Sequence, residues 1–599
     1  MIKNKEKKSP PYFRILLRIM PIQFKTTPGH DMINLVLGIV HGLSFALSVI
    51  ATQYLFDAIS EAAAGNAGFW DCVLPLLVLA TVTFGQQILN GICNFHGFAV
   101  LMAKSSGKLR TLLQKKLQRI DPALFEDTSF LDDLNKAKEA VNVIPFFTAT
   151  IFMLVFFYGS YFALIGLYLF GLKPILLITL LIAFIPALLA QIVRVKVFTA
   201  LEEQSAPIRR ENEYYQKTIC DREYFKETRI LGAFKYFHKL FTETLMLLTR
   251  KTWKAERKTA LLQLSLNVIS FIGMAVASYL LFVATMSGEI TVGAFAAVFA
   301  ALGMIFYIMQ EIIDMHLGNM NKDTGKVANF IRMLDIPERT GISCNTDFTK
   351  GITAEEVYFT YPGRDEPAVR NVSLKIADGE TIAIVGENGA GKSTLVRLLT
   401  GIYRPSEGNV FIGGTDSADT IPDSVFLRIS GVFQKYQRYK MTLNENIAIS
   451  NTKTAEAEVV KTKIRTALDE AGVELEDVEP DTMLSPEFDG IDLSGGQWQR
   501  LAIARGLYRK NDFIVLDEPT AAIDPIEETR VYTQFQKLAE GKCAVIVTHR
   551  LGSAKLAHRI IVMDAGEIVD EGTHDELVSR DGKYAEMWSA QSQWYERSS

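Results

Sequence analysis

A chain of 599 residues holds roughly four domains' worth of material at about 150 residues each, so one small domain is excluded. Hydrophobic residues make up 49% of it, charged residues only 22%, and the mean hydropathy is +0.15, so part of the chain avoids water and wholesale disorder is excluded. Lys plus Arg number 63 against 67 Asp plus Glu, a net charge of -4 that gives no general attraction to nucleic acid.

The N-terminal 30 residues are basic, with Lys3, Lys5, Lys7, Lys8, Arg14, Arg18 and Lys25. Within them Pro10 to Met20 reads as an elbow helix on the cytoplasmic membrane face, Arg14 and Arg18 lying one turn apart. Six apolar windows follow, each near the 20 residues that cross a hydrocarbon core of about 30 Å. They run over 33–55, 73–95, 146–170, 174–193, 260–284 and 292–314. The apolar run from Ile144 to Val193 is too long for one crossing, and Gly171, Lys173 and Pro174 supply its breaker, which predicts a tight helical hairpin. Met286 to Glu289 makes the turn before the last span. The first run exceeds the apolar core of a cleaved signal peptide and more spans follow it, so cleavage is not expected.

Basic residues near membrane ends stay on the cytoplasmic side. The basic start and the stretch from Lys104 to Arg119 are therefore cytoplasmic, while the three short loops opposite hold only Lys173. Both termini are expected in the cytoplasm. The polar stretches after spans two and four, including Gly107 to Ile120 and Ala206 to Arg257, read as helices continuing out of the membrane. Polar residues inside spans are costly. Gln86, Gln87, Asn90, Asn94 and His96, then Asn267, then Gln310, Glu311 and Asp314, either line a polar cavity or hold the bundle together by hydrogen bonds. The five cysteines, Cys72, Cys93, Cys220, Cys344 and Cys543, are scattered without metal-ligand spacing and read as ordinary small apolar residues.

Residues 331–350 form a linker without apolar periodicity, and 351–599 a soluble domain. Its apolar runs Thr381 to Val385, Phe513 to Leu516 and Cys543 to Val547 read as buried parallel strands of an α/β sheet. The first enters Gly386-Glu387-Asn388-Gly389-Ala390-Gly391-Lys392-Ser393-Thr394, a P-loop. Its glycines let backbone N–H groups wrap phosphate oxygens, Lys392 reaches the β- and γ-phosphates, and Ser393 is placed for Mg²⁺. The second strand ends in Asp517-Glu518 at the carboxyl edge of the sheet. Asp517 is assigned to Mg²⁺ through its hydration shell and Glu518 to the attacking water. The third ends in Thr548-His549, and Leu493-Ser494-Gly495-Gly496-Gln497 opens a helix as a second anion site. A monomer with its own phosphate cradle does not need that second site.

These residues resemble the ABC transporters, in particular exporter-type half-transporters that fuse six spans to one nucleotide-binding domain. The resemblance is dense over about 350–590 and rests only on span count and loop lengths before that. It implies that Gly386 to Ser393 is the Walker A motif, Phe513 to Asp517 the Walker B, Glu518 the catalytic glutamate, and Leu493 to Gln497 the signature that binds ATP in trans. It further implies that His549 is the switch histidine, Gln434 the Q-loop glutamine contacting Mg²⁺, Asp524 the D-loop aspartate and Tyr361 the aromatic that stacks on adenine. Catalysis then falls to Glu518, His549 and Lys392, and Mg²⁺ to Ser393, Gln434 and Asp517.

The implied fold is an α-helical membrane bundle with long cytoplasmic extensions, at 31–330, plus an α/β P-loop ATPase domain. The implied activity is ATP-driven export of a peptide, lipid or drug-like solute by alternating access. The implied partner is a second half-transporter, a second copy being favoured over a different half, in a bacterial cytoplasmic membrane. Importers built on the same fold and an ATP-gated channel are the alternatives. Departures are few: Glu387-Asn388 stands for a frequent Pro-Ser, Ala521 for the D-loop serine, and Trp498 for a common basic residue after the signature. Glu387-Asn388 and Phe488-Asp489-Gly490 look most like peptide or lantibiotic exporters. No Cys/His domain precedes the spans, so leader-peptide cleavage is not expected.

Overall fold

The structure is a computed structural model that describes residues 12–343, 346–434, 436–452, 457–473, 475, 478–518, 532, 535–536 and 539–596. The chain divides into two compact units, residues 1–115 with 133–335 and residues 116–132 with 336–599.

The first unit is helical. Among the described residues six helices are long and apolar enough to cross a membrane: Pro28–Ala63, Phe69–Arg119, Thr128–Leu172, Pro174–Phe198, Phe234–Met286 and Val292–Leu317. The hairpin expected from Gly171 to Pro174 forms, because the third span stops at Leu172, Lys173 is extended and Pro174 starts the fourth at a position where its missing N–H costs nothing. Opposite charges on Lys173 and Glu289 pair the two short turns on that side. The fourth helix runs on to Cys220 and the fifth begins at Phe234, so the polar stretch between them is mostly continued helix, interrupted by a short helix at Phe225–Ile230. Before the first span, the helix Tyr12–Thr26 buries Ile15 and Ile19 and exposes Arg14 and Arg18. Arg18 makes a bidentate pair with Asp335 at 2.5 Å through both guanidinium nitrogens. The side chain of Asp314 lies outside the described residues.

The second unit is built on two sheets. Its strands in chain order are β1 (Ile352–Phe359), β2 (Val369–Ile376), β3 (Thr381–Gly386), β4 (Glu407–Ile412), β5 (Thr415–Asp416), β6 (Ile429–Val432), β7 (Phe513–Asp517), β8 (Cys543–Val547), β9 (Arg559–Asp564) and β10 (Glu567–Gly572). The small antiparallel sheet has the order β2-β1-β4-β5 and the larger one β10-β9-β3-β8-β7-β6. In the larger sheet β6, β7, β8, β3 and β9 run parallel and only β10 is antiparallel. Every residue of β3, β7 and β8 is buried, which is why these strands read as unbroken apolar runs rather than as alternation.

Residues 116–132 join this second unit although they comprise the end of the second spanning helix, the start of the third and the segment between them. Asp121 caps a short 3₁₀ turn at Pro122–Glu126, Ala123 enters the core of the α/β unit, and Tyr403 donates to Glu126 at 2.7 Å. The linker is equally anchored. Lys116 and Arg119 pair with Glu338, and buried Arg339 donates to the carbonyls of Ile402 and Gly401 at 2.9 and 3.0 Å.

Candidate functional site

Register places the chemistry. Asp517 lies opposite Val547, and Val547 opposite Ile384, so the carboxyl ends of β7, β8 and β3 lie side by side. Asp517 and Glu518, Thr548 and His549, and the P-loop all leave the sheet at that edge, where α/β folds bind ligands.

Two glycines of the P-loop have no substitute. Gly386 has φ +150, and a Cβ there would lie 2.2 Å from the carbonyl oxygen of Met563. Gly391, the N-cap of the helix Lys392–Leu399, has φ +94 and would meet the Ala368 carbonyl at 2.5 Å. Lys392 is buried and its ammonium donates to the carbonyls of Gly386 and Glu387, both at 2.9 Å. Burial lowers its pKa, and the carboxylates of Glu518 and Asp517 oppose that shift. The Ser393 hydroxyl donates to Asp517 Oδ1 at 3.2 Å. Burial raises the Asp517 pKa against the pull of the Ser393 bond, and neighbouring Glu518 raises it further.

Glu518 holds a left-handed backbone, φ +45, fixed by its N–H donating to the Val547 carbonyl at 3.0 Å. A left-handed conformation costs a non-glycine residue about 1–2 kcal/mol, and such strain concentrates at functional sites. Gln434 donates to Glu518 Oε2 at 2.8 Å, and His549 Nδ1 stands 3.6 Å from Oε1, beyond hydrogen-bond distance. The edge therefore brings together Lys392, Ser393, Gln434, Asp517, Glu518 and His549. Asp524 and Ala521 lie outside the described residues.

Tyr361 packs edge-on against Phe359, and its hydroxyl is 2.9 Å from Thr394 Oγ1, which ties it to the P-loop helix. Sequence reasoning missed the rest of that corner. Arg397 donates to Tyr403, Tyr361 and Glu126 at 3.0, 3.4 and 3.3 Å. Burial and the Glu126 bond push the Tyr403 phenol well above its usual range. Also missed was Lys583, which pairs with Glu387 at 2.8 Å and holds the Glu387 carboxyl below its usual range.

The signature segment opens the helix Gly495–Tyr508 through a capping box: Ser494 Oγ accepts the Gln497 N–H, and Gln497 Oε1 accepts the Ser494 N–H. Leu493 is buried, Gly495 and Gly496 are half-buried, and a Cβ at either glycine would meet nothing within 4 Å. Among the described residues no hydrogen bond joins 493–497 to the P-loop. Trp498 is explained by burial: its indole is 2% exposed and donates to Asp492 at 3.0 Å. Asn388, Gly389 and Ala390 complete the loop, with Gly389 at φ +88 facing open space.

The family description ABC transporter matches residues 369–521, and ABC transporter transmembrane region matches 32–309. The chain is 31% identical over 370 residues to the subtilin transport ATP-binding protein SpaT of Bacillus subtilis, covering 61% of this chain and 60% of that one. It is 29% identical over 404 residues to the nisin transport ATP-binding protein NisT of Lactococcus lactis, covering 65% and 66%. Against the ATP-dependent lipid A-core flippase of Escherichia coli it is 28% identical over 368 residues, covering 61% and 63%. These alignments thus span about two thirds or less of each relative's length. The structure of a bacterial Atm1-family ABC exporter with ATP bound superposes with a TM-score of 0.71 at 22% identity, over 95% of this chain and 98% of that one, which speaks for the fold. On its membrane region, its nucleotide-binding region and its fold together, the chain belongs to the ABC transporters.

Proposed function

We propose that this chain is one half of a dimeric exporter that hydrolyses ATP to move an amphipathic or hydrophobic solute, a peptide, lipid or drug-like molecule, out across a bacterial cytoplasmic membrane. The observation that carries this reading is the convergence of Lys392, Ser393, Gln434, Asp517, Glu518 and His549 on one sheet edge. Similarity to transport proteins for subtilin and nisin and to a lipid A-core flippase supports export of such solutes.

The turn from Gly386 to Gly391 holds three glycines at positive φ, two of them pressed against the Met563 and Ala368 carbonyls, and such a turn followed by a helix N-terminus suits a phosphate chain. Ser393 Oγ and Asp517 Oδ1 are hard oxygen donors within 3.2 Å of each other, and with the Gln434 amide oxygen they fit Mg²⁺. Bound there, Mg²⁺ supplies charge neutralisation for the β- and γ-phosphates. Lys392 contributes its ammonium to the same phosphates. Glu518 orients the attacking water and accepts its proton, Gln434 holds the Glu518 carboxylate in place, and His549 flanks it from β8. The N–H groups of Gly495 and Gly496 at the helix start of a second copy donate to the nucleotide held by the first, which gives the surplus anion site a role. Closure of such a pair on ATP and reopening after hydrolysis would drive alternating access in the spans.

The test is Mg²⁺-dependent ATPase activity of the chain purified alone in lipid, beside Glu518→Gln, with the mass of the assembly recorded. The reading expects a two-copy species whose turnover falls at least about 100-fold in the variant. A folded chain without turnover would overturn the self-sufficient homodimer and leave either a different half-transporter as the missing partner or a nucleotide-gated role.

A further inference from the structure

Three spans each contain a π-helical turn: Phe95–Leu101 in the second, Met153–Tyr158 in the third and Glu311–Leu317 in the sixth. Such turns are rare and concentrate at functional sites. All three border one cavity of about 160 Å³, through Gly97 and Phe98, Met153 and Phe157, and His316. The first span completes it with Asn34, Gly38 and His41, spaced four and three residues apart on one helix face. The cavity lies wholly within the helical unit.

The chemistry of the lining is specific. Among the described residues no Lys, Arg, Asp or Glu borders the cavity, so a charged group would lose its hydration there without an ion-pair partner in that lining. A plain hydrocarbon is also a poor match, because Asn34, Asn90 and Asn94 line it. Asn94 donates to Asn90 at 3.0 Å, which engages only one end of each amide. His41 is 8% exposed, its ring packs between Phe45 and Phe157 at 5.2 and 4.9 Å, and its Nε2 is buried without a hydrogen bond. A buried polar nitrogen left unpaired costs about 1–3 kcal/mol. The nearby chain Lys104–His30–His96, with contacts of 3.0 and 3.2 Å, leaves His96 Nδ1 buried without a hydrogen bond, but none of the three residues borders the cavity.

We infer that this cavity binds an uncharged, amide-bearing apolar group, one residue of a hydrophobic peptide segment together with its flanking peptide bonds. Asparagine amides and an imidazole match the donor and acceptor of a peptide bond, and the phenylalanine rings take the side chain. The inference rests on the exporter reading for the role of that peptide as cargo, but not for its binding.

The test uses the full chain in phosphatidylcholine nanodiscs without nucleotide, so that failure of transport and failure of the site are separate results. The probe is tritiated N-acetyl-leucyl-phenylalaninamide, compared with its analogue in which the central amide is an ester. Wild type is expected to bind the amide about tenfold more tightly than the ester, because the ester lacks the N–H donor. His41→Phe keeps the ring packing and is expected to lose that discrimination. Gly97→Leu fills the cavity, since a Cβ there meets only Asn34 Oδ1 at 3.9 Å, and is expected to abolish binding. No binding to wild type, equal binding of amide and ester, or full binding to Gly97→Leu would each overturn the inference. Displacement of the peptide by n-octyl glucoside at lower concentration than the peptide itself would reassign the asparagines to a sugar and overturn it as well.

Discussion

The nucleotide edge and the membrane cavity are both lined by polar groups on buried elements, yet they are assembled in different ways. At the edge, Gly386 to Thr394 is a single stretch whose turn, helix cap and ligands are encoded together, and parallel register brings Asp517, Glu518 and His549 beside it. In the helical unit the partners are far apart in sequence: His30 with His96, and Tyr158 with His316 at 3.0 Å across 158 residues. Phosphate chemistry demands a fixed backbone, and backbone geometry is written locally. A cavity between helices is written in the spacing of residues on four separate surfaces, which tolerates many sequences.

The sharpest way to test the first half of that comparison is to break the backbone at one point. Gly391→Ala puts a Cβ 2.5 Å from the Ala368 carbonyl at φ +94, and nucleotide affinity is expected to fall more than about 100-fold, read with a fluorescent ATP analogue. Gly389→Ala has φ +88 but open space, so only the strain of about 1–2 kcal/mol remains and the loss stays near tenfold. Equal losses at the two positions would show that torsional strain, and not close approach, governs the cradle.

Next in size is the linker. Arg339→Leu leaves the carbonyls of Gly401 and Ile402 buried and unpaired, an expected loss of about 2–4 kcal/mol in the stability of the α/β unit. Thermal unfolding followed through the buried indole of Trp498 reports it. A smaller effect is expected from Tyr403→Phe, which removes the 2.7 Å bond to Glu126 but leaves Arg397 beside that carboxylate, so about 1 kcal/mol is lost.

Those two sites also mark where the sequence was silent. Six spans and the strand, glycine turn and helix from Thr381 to Leu399 were legible because a window of apolar residues and a glycine-lysine turn each have one physical reading. The assignment of 116–132 to the α/β unit was not, since Lys116, Arg119 and Glu126 look like any solvated helical stretch until Glu338 and Tyr403 are placed against them. Trp498 read as a departure from a family pattern, and burial against Asp492 accounts for it. The π-helical turns had no signal at all, because an extra residue in a helix changes no composition.

The smallest expected change separates structure from chemistry within one motif. Ser494 with Gln497 and Thr573 with Glu576 are both capping boxes, each satisfying two backbone donors at a helix start. Replacing either cap residue by alanine is therefore expected to cost about 1 kcal/mol of stability. If the segment at 493–497 only caps a helix, Ser494→Ala and Thr573→Ala will be matched in both stability and ATPase activity. If it completes the site of a second copy, Ser494→Ala loses tenfold or more in turnover while Thr573→Ala, with the same thermal shift, keeps wild-type activity. Helix capping is a property of one chain, so only a role in trans can make two caps of equal strength differ in turnover.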